Sequence, residues 1–341
     1  MKNLLRLIAA LLVLTLFMLA GAGAAAVSYS RPPETAPEDS FFRVEPGEGL
    51  GLIASRLEEQ GFLRSRFVLI AYARLMRTEG NLQTGYYQIP EGVSMKELHD
   101  LLLRGQQYLV SVTIPEGYTL RRVAALLVEK EILSSAEDFI TAANSAELTS
   151  SLGLPGESVE GYLYPDTYRF ALDTDARTLI THMVETFFEQ LESLGIDPQE
   201  FSGGDFHERI ILASIIEREY RVPDEAPLIA SVFFNRLEMT MPLQSCATVV
   251  YVLTEQEERE HPSFLTYADL EVESPFNTYQ HYGLPPAPIC NPGSTALDAA
   301  FFPEESDYLY FLVENPDEGR HRFTRTLSEH NAAKRLYIKS N

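Results

Sequence analysis

The sequence predicts an α+β protein made of a single N-terminal transmembrane helix, a small strand-turn-helix subdomain and a larger mixed α/β domain. Three observations support this: a long apolar run near the N-terminus, a recurring strand-turn-helix pattern, and both helical and strand-like segments in the remaining chain. A length of 341 residues with 45% hydrophobic and 11% aromatic content is enough for two or three globular domains. We place the parts at 1–27 (anchor), 28–40 (linker), 41–108 (subdomain) and 109–341 (large domain).

The charge and the cysteine and histidine content exclude several classes of protein. A formal net charge of −22 argues against a nucleic-acid partner, because phosphate binding depends on clustered Lys and Arg. The cysteines and the seven histidines show no spacing typical of a metal site, so we expect neither a metal nor another cofactor. Two states are open to Cys246 and Cys290 in an oxidising compartment: a disulfide joining their loops, or free thiols.

The apolar run Leu7–Val27 is long enough to cross a membrane as a helix, since its length at 1.5 Å per residue is roughly the 30 Å hydrocarbon thickness. Lys2 and Arg6 precede the run, and mainly acidic residues follow it. The positive-inside rule then leaves the N-terminus in the cytoplasm and the body of a single-pass membrane protein outside. The alternative is a cleaved signal peptide, because Ala and Gly near residues 20–26 offer cleavage sites.

Residues 28–40 contain three prolines among acidic and small polar residues, which is typical of an extended, solvated tether. After the tether, the pattern at Val44–Leu50 recurs 70 residues later at Ile114–Leu120, and Ile89–Met95 repeats its opening. Each copy predicts a strand, a glycine turn and an amphipathic helix. Such units resemble LysM-type glycan-binding modules, most closely in residues 41–108. The alternative is a small α+β packing unit without a ligand.

The segment Ile210–Tyr220 is predicted to be a buried helix that ends in two carboxylates. Glu217 and Glu219 stand about 200° apart on a helix, so both cannot point into one cleft. Glu217 shares a face with small residues that leave room for a ligand, whereas Glu219 should border the packed stripe. A carboxyl group held against apolar surface has a raised pKa, which suits a general acid. Spacing alone does not choose between the two, and solvated acids at an ordinary helix end are the alternative.

Other segments predict the helices and strands around this helix. Residues 175–194 and 227–237 have helical periodicity, and the second of these helices is expected to pack against the carboxylate helix. Residues 307–311 and 321–326 predict a pair of strands followed by a closing helix. The aromatic and acidic loop Glu160–Tyr168 suits stacking on sugar rings, although such a cluster also serves loop packing.

Eight ordered segments together resemble the family of endolytic murein transglycosylases, called MltG or YceG-like. The segments run from the aromatic loop to the C-terminal region and are Glu160–Tyr168, Leu212–Glu219, Ser231–Leu237, Leu243–Ser245, Asn277–Tyr279, Gly283–Pro286, Asn291–Gly293 and Glu329–Asn331. One departure concerns the loop after Leu243–Ser245, where the family often has Asp-Pro and this chain has Cys246-Ala247.

The resemblance implies an enzyme that cleaves the β-1,4 bond between N-acetylmuramic acid and N-acetylglucosamine within peptidoglycan strands, leaving 1,6-anhydro ends and ending strand elongation. It implies that Glu217 is the catalytic acid and base, and that cell-wall synthases are partners. Candidates for orienting the substrate are Gln244, Asn277 and Tyr279. Candidates for lining sugar subsites are Tyr162, Tyr164 and Tyr168.

Two other classes of function remain open at this point. A membrane-tethered peptidoglycan-binding or scaffold protein would need the repeats but no catalytic carboxyl group. An ordinary glycosidase would need a second acid, for which Glu219, Asp166 and Glu160 are candidates. The reaction products separate the three classes, because they are anhydro ends, reducing ends or none.

Overall fold

The computed structural model describes residues 2–33, 40–201 and 204–337, and the chain forms two compact units, residues 1–110 and 111–341. The units combine helices with short strand pairs, in agreement with the predicted mixture of α and β structure. The elements of the first unit are, in chain order, α1 (Lys2–Tyr29), β1 (Ser40–Val44), α2 (Leu50–Glu59), α3 (Arg66–Met76), β2 (Gly85–Ile89) and α4 (Met95–Arg104).

Helix α1 contains one stretch, Leu11–Tyr29, that is long and apolar enough to cross a membrane by its length and composition. Its large apolar side chains are exposed, as Leu16 and Phe17 show. Just after the helix, the carbonyl groups of Ser30 and Pro32 accept hydrogen bonds from Met95 and Arg64. Residues 34–39 of the predicted tether lie outside the described residues.

In the first unit, β1 and β2 pair antiparallel, from Ser40 opposite Ile89 to Val44 opposite Gly85. Helices α2 and α3 lie between the two strands in the sequence, which gives a β-α-α-β order. Alternate strand side chains such as Phe42 and Tyr87 are buried with the apolar faces of the helices. The predicted strand, turn and helix units are therefore present.

The second unit contains the large predicted domain. Its elements are β3 (Leu109–Thr113, which begins before residue 111), α5 (Leu120–Glu129), α6 (Ala136–Ala143), α7 (Ala146–Ser151), β4 (Thr167–Ala171), α8 (Ala176–Ser193), α9 (Asp205–Glu217), α10 (Ala226–Glu238), α11 (Cys246–Tyr251), α12 (Ser294–Phe301), β5 (Tyr310–Asn315), β6 (Arg320–Thr324) and α13 (Leu327–Tyr337). The helices predicted at 175–194 and 227–237 are α8 and α10. The predicted strand pair is β5 and β6, which pair antiparallel, and α13 is the closing helix.

The sequence repeat with a spacing of 70 residues corresponds to a repeat of secondary-structure elements. Strand β3 pairs with β4, and α5 and α6 follow β3 as α2 and α3 follow β1. The helix ends match in detail: the Phe62 N–H donates to the Leu57 carbonyl at 2.8 Å, and the Ile132 N–H donates to the Leu127 carbonyl at 3.0 Å. Both leucines are fully buried. The same apolar pattern therefore produces the same local structure twice.

Helix α9 lies at the centre of the second unit, in contact with α10 and α12. All of its residues from Ile210 to Ile216 are buried. This agrees with the predicted apolar helix, although the burial extends around the helix and is not limited to one face. The contact between α9 and α10 confirms the expected packing of these two helices. Small residues permit a close approach: Ser214 Oγ accepts the Ile289 N–H at 2.9 Å, so the segment that leads to α12 lies directly on α9.

Candidate functional site

The C-terminal end of α9 places two carboxyl groups in different surroundings. Glu217 is the last helical residue, and Arg218 is the C-cap. Glu219 follows in a turn in which its N–H donates to the Ile216 carbonyl at 2.9 Å. The two side chains diverge, as predicted from their separation. However, Glu219 lies beyond the helix, so the helical face argument that assigned it to the packed stripe does not apply to it.

Glu217 faces the segment before α12. Its carboxylate accepts the N–H of Gly293, the N-cap residue of α12, at 3.0 Å. Burial raises the pKa of Glu217 to about 7, while the Gly293 hydrogen bond acts in the opposite direction. The space beside Ser214 that the sequence suggested for a ligand holds Ile289 and its neighbours. Glu217 thereby joins the end of α9 to the start of α12.

Glu219 faces the start of α11. The Ser245 hydroxyl donates to its carboxylate, and the Ala247 backbone N–H gives a second hydrogen bond. Burial is the largest influence on this carboxyl group and raises its pKa, although both hydrogen bonds favour the charged form. A raised pKa is the direction that a general acid needs, because the acid must carry its proton in order to donate it.

Glu219 lies on the wall of an open groove of about 530 Å³, which we call the Glu219 groove. The walls come from the end of α9, the loop before α11, the Asn277–Tyr279 loop, β5 and α13. Its polar side chains include Glu219, Gln244, Ser245, Cys246, Tyr279, Arg218, Arg221, Arg236, His321, His330 and Lys334. Glu219 is the one acidic residue that lines the groove among the residues that the structure describes.

Two of the three predicted orienting residues reach this groove. Gln244 is exposed on it, with a backbone φ of 48° and its N–H donating to the Thr278 carbonyl at 3.1 Å. The Tyr279 hydroxyl lies 3.2 Å from Cys246 Sγ on the same wall. Asn277 does not reach the groove, because its buried amide donates to the carbonyls of Leu270 and Val272. It positions the loop that carries Tyr279.

The predicted tyrosine subsites are not brought together in the Glu219 groove. Tyr162 is fully buried and its hydroxyl is 2.7 Å from His207 Nδ1, so it offers no face to a sugar ring. Tyr168 is buried too, and its hydroxyl donates to the Tyr164 carbonyl at 2.6 Å. Tyr164 is buried near Glu217. The aromatic loop therefore serves packing, since its rings fill the core of the second unit.

The alternative second acids are not beside Glu219 either. Both oxygens of Glu160 accept the Leu120 N–H at 3.0 Å, which places this buried carboxyl group at the start of α5. Burial raises the pKa of Glu160 to about 8. Asp166 is exposed and accepts the N–H of Thr167 at 2.6 Å. Neither residue lines the Glu219 groove.

The two cysteines are free, so the disulfide hypothesis is wrong. Cys246 is exposed on the groove beside Tyr279. Cys290 is buried, and its thiol donates to the Ser214 carbonyl on α9 at 3.2 Å. Cys290 lies on α9 in the segment that leads to α12, whereas Cys246 begins α11 next to Ser245, which contacts Glu219 beyond the end of α9.

Sequence reasoning did not assign roles to Arg236 and His330, which line the groove. Arg236 is buried and donates to the carbonyls of Leu309 at 2.7 Å and Leu243 at 2.8 Å, so it holds both walls. His330 stacks on Tyr310, and burial lowers its pKa, with Lys334 and Arg236 adding to the effect. Its Nδ1 has no hydrogen-bond partner within the described chain. Arg236 lies within the Ser231–Leu237 motif and His330 within the Glu329–Asn331 motif, so these motifs could have indicated both residues.

Within the described ranges, no group of three or more His, Cys, Asp or Glu side chains could hold a metal ion. The groove itself brings Glu219 together with hydroxyl, amide, imidazole and cationic side chains.

Comparison with known proteins supplies the family. The profile of the YceG-like family matches residues 42–336, which is most of the chain. The chain belongs to the YceG-like family. Its similar relatives in this family include a Bacillus subtilis (strain 168) protein named endolytic murein transglycosylase, 31% identical over 87% of this chain and 84% of that protein.

A Streptococcus pneumoniae (strain R6) protein of the same name is 28% identical over 87% of this chain, which spans 58% of that longer protein. Among solved structures, the crystal structure of a yceG-like protein from Listeria monocytogenes is similar, with a TM-score of 0.55 and 31% identity. It covers 89% of this chain and 99% of the Listeria chain. The match extends over both compact units, so both belong to the shared architecture.

Proposed function

We propose that this YceG-like chain is an endolytic murein transglycosylase that cuts the β-1,4 bond between N-acetylmuramic acid and N-acetylglucosamine inside peptidoglycan strands. Two similar relatives carry the name endolytic murein transglycosylase. The observation that carries the proposal is the Glu219 groove, which is open to solvent and is lined by a carboxyl group with a raised pKa. A groove suits a linear polymer that is bound in the middle of a strand.

The number of acids in the groove favours transglycosylation over hydrolysis. A glycoside hydrolase usually uses two carboxyl groups, one as acid and one as nucleophile or base. Within the described residues, Glu219 alone supplies a carboxyl group to the groove wall. A lytic transglycosylase needs only one, because the attacking hydroxyl group belongs to the substrate and is already close to the reacting carbon.

The proposed reaction has two proton transfers. The carboxyl group first protonates the glycosidic oxygen, and the C1–O bond of the muramyl residue breaks with the electron pair leaving on that oxygen. The resulting carboxylate then takes the proton from the muramyl 6-hydroxyl, whose oxygen bonds to C1. The products are a strand that begins with a free N-acetylglucosamine hydroxyl group and a 1,6-anhydromuramyl end, without consumption of water.

The two carboxyl groups of α9 compete for this role. The motif resemblance assigns the role to Glu217, whereas Glu219 is the carboxyl group that lines the groove. Both are hydrogen-bonded in the structure, Glu217 to the Gly293 N–H and Glu219 to Ser245 and Ala247. We propose Glu219 as the acid and base because it lines the groove. Glu217 is the competing assignment, and the paired variants decide between them.

The placement of the enzyme is part of the proposal. The apolar stretch Leu11–Tyr29 would anchor the chain in the cell membrane, with the N-terminus in the cytoplasm and both compact units outside. Peptidoglycan strands would then be within reach as they are made, which suits an enzyme that ends strand elongation beside cell-wall synthases. Terminal sequencing of the mature protein tests the anchor, because a new N-terminus between residues 20 and 28 would indicate a cleaved signal peptide instead.

The first unit would contribute substrate binding. Its β-α-α-β order, with an antiparallel strand pair, supports the proposed LysM-like role of residues 41–108 in holding glycan strands. Pull-down of the full-length protein with insoluble peptidoglycan, with and without competing chitooligosaccharides, tests this role.

Product analysis tests the central proposal. Full-length protein in detergent is incubated with peptidoglycan strands, and the new ends are identified by mass spectrometry. Ends that lack one water, the anhydro form, are expected. New reducing ends would indicate a hydrolase, and the absence of cleavage by well-folded protein would favour a scaffold protein.

A further inference from the structure

A second cavity lies on the other side of the turn that carries Glu219. This cavity, which we call the Arg122 cavity, has a volume of about 410 Å³. It lies between the start of α5, the end of α9, and α11 with the loop that follows it. Its lining includes Thr119, Arg122, Arg218, Ala247, Arg259 and His261.

The cavity is basic although the chain is strongly acidic. Three guanidinium groups line it, against one carboxyl group, that of Glu255, among the described residues. The net charge of the whole chain is −22, so the lining of this cavity is opposite in sign to the chain as a whole. Such a local field favours anionic ligands.

The three arginines are neutralised to different degrees. Arg259 donates to Asp269 at 3.1 Å, which offsets its charge. Arg218 donates to the Gly117 carbonyl at 3.3 Å and lies near Glu217 and Glu219. Arg122 forms no ion pair in the part of the chain that the structure describes, and its guanidinium lies 4.0 Å from the centre of the Tyr118 ring. Arg122 is therefore the group most available to a ligand.

The Arg122 cavity adjoins the Glu219 groove. Arg218 lines both of them, and the neighbouring residues Cys246 and Ala247 line the groove and the cavity respectively. A substituent on a sugar held in the groove can therefore reach the cavity. In peptidoglycan each muramyl residue carries a peptide on its lactyl group, and three extended residues of this peptide span roughly 10 Å.

We propose that the Arg122 cavity binds the carboxylate groups of the peptide stem on the muramyl residue beside the cut bond. The inference rests on the proposed function, and it adds that the substrate is peptide-bearing glycan. Guanidinium groups match carboxylates through paired, charge-assisted hydrogen bonds, which explains the preference for arginine here. The cavity then selects which muramyl residue sits at the reaction centre.

Arg122→Gln tests this inference, with Arg121→Gln as the matched control. Arg121 is the adjacent exposed residue, but it pairs with Glu258 at 3.0 Å and does not line the cavity. Two substrates are compared: glycan strands with intact stems, and the same strands after an amidase has removed the stems. We expect the wild type to prefer stem-bearing strands in kcat/KM. Arg122→Gln should lose about three- to tenfold on these strands and nothing on bare strands, which is the range of a single exposed charge contact.

Several outcomes would overturn the inference. Equal losses of Arg122→Gln on both substrates would show a role unrelated to the stem, and a wild type without preference would remove its basis. Cleavage failure by the wild type would refute the proposed function instead. In that case, titration of the full-length protein with an isolated stem peptide still tests whether the cavity binds the stem. The inference is supported if the wild type binds the peptide, Arg122→Gln weakens the binding and Arg121→Gln preserves it. Arg122-dependent binding of a phosphate wall polymer, without binding of the stem peptide, contradicts it.

Discussion

Glu217 and Glu219 stand two residues apart at the end of one helix, yet they contact different segments; we call the side of Glu217, towards α12, the closed side, and the side of Glu219, towards the groove, the open side. On the closed side, Glu217 accepts the Gly293 N–H and lies against the segment that leads into α12. On the open side, Glu219 accepts hydrogen bonds at the start of α11 and borders a groove of about 530 Å³. Both carboxyl groups have a raised pKa because of burial.

The comparison teaches that a perturbed pKa does not by itself identify the catalytic group. Burial by protein and burial beside a cavity shift a carboxyl pKa in the same direction. What differs is the surroundings of each carboxyl group. Glu219 lines the groove, Glu217 lies against the segment before α12, and Glu160, whose pKa burial raises to about 8, binds the start of α5.

The largest expected effect is on catalysis by Glu219→Gln. Glutamine keeps the shape and the hydrogen bonds of the side chain but cannot transfer the proton, so the rate of anhydro-end formation should fall by about 10²- to 10⁴-fold. Glu217→Gln, the matched variant on the closed side, should retain most of the activity. Rates on purified strands are measured together with thermal unfolding, which confirms that each variant is folded.

The opposite result would break the comparison. If Glu217→Gln abolished cleavage and Glu219→Gln did not, the role of acid and base would belong to Glu217, as the motif resemblance implies. If both folded variants kept full activity, neither carboxyl group of α9 would carry the reaction.

The next effect is on stability and tests how tightly the closed side is packed. Gly161 has a φ of 91°, and a Cβ atom there would lie 2.5 Å from the Pro288 ring and 3.2 Å from Ile210. Gly161→Ala should lower the free energy of unfolding by roughly 1–3 kcal/mol through overpacking, in addition to backbone strain. Urea unfolding measures the change. Gly51→Ala, on α2 with no atom within 4 Å of the added Cβ, should be neutral or slightly stabilising.

A smaller effect concerns the pH dependence of the open side. The Ser245 hydroxyl favours the charged form of Glu219, so Ser245→Ala should raise the pKa of Glu219 further. An acid must be protonated to act, and activity falls as the pH rises through its pKa. The falling limb of the pH–rate profile should therefore move to higher pH. Ser231→Ala, which removes a hydrogen bond to Ser306 outside the groove, should leave this limb in place.

The last effect is a pH dependence of stability on the closed side. The folded-state pKa of Glu217 is about 7, above the ordinary value of 4.5, so the folded protein binds this proton more tightly than the unfolded chain. The resulting stabilisation is full below pH 4.5 and is lost as the pH rises to about 7. The free energy of unfolding of the wild type minus that of Glu217→Gln should fall over this window. A difference that rises with pH would contradict the assignment.

Local features of the sequence predicted much of the fold. Apolar periodicity located α8, α9 and α10, and the turn glycines located the repeated strand-turn-helix units. The predicted divergence of Glu217 and Glu219 is also present. Their roles could not be predicted from the same pattern. The helix ends at Glu217, so the spacing of helical faces does not apply to Glu219.

Packing determines which of the predicted site residues border the groove, and much of this packing joins distant parts of the chain. The room beside Ser214 is taken by Ile289, 75 residues away in the sequence. Tyr162 reaches His207, and the amide of Asn277 is used by the carbonyls of its own loop. Motifs identified these residues as important, but only the packing distinguishes a side chain that holds a loop from one that meets a ligand.

The two β-α-α-β copies differ in one connection. In the first copy, residues 77–84 join α3 to β2, whereas in the second copy the longer stretch 144–166 joins α6 to β4. This longer connection carries Glu160, which binds the start of α5, and Tyr162, which fills the core. The consequence concerns ancestry. If both copies descend from one duplicated module, the connection changed in length after the duplication, and the longer form, which contains α7, now braces the start of α5 and the core of the second unit.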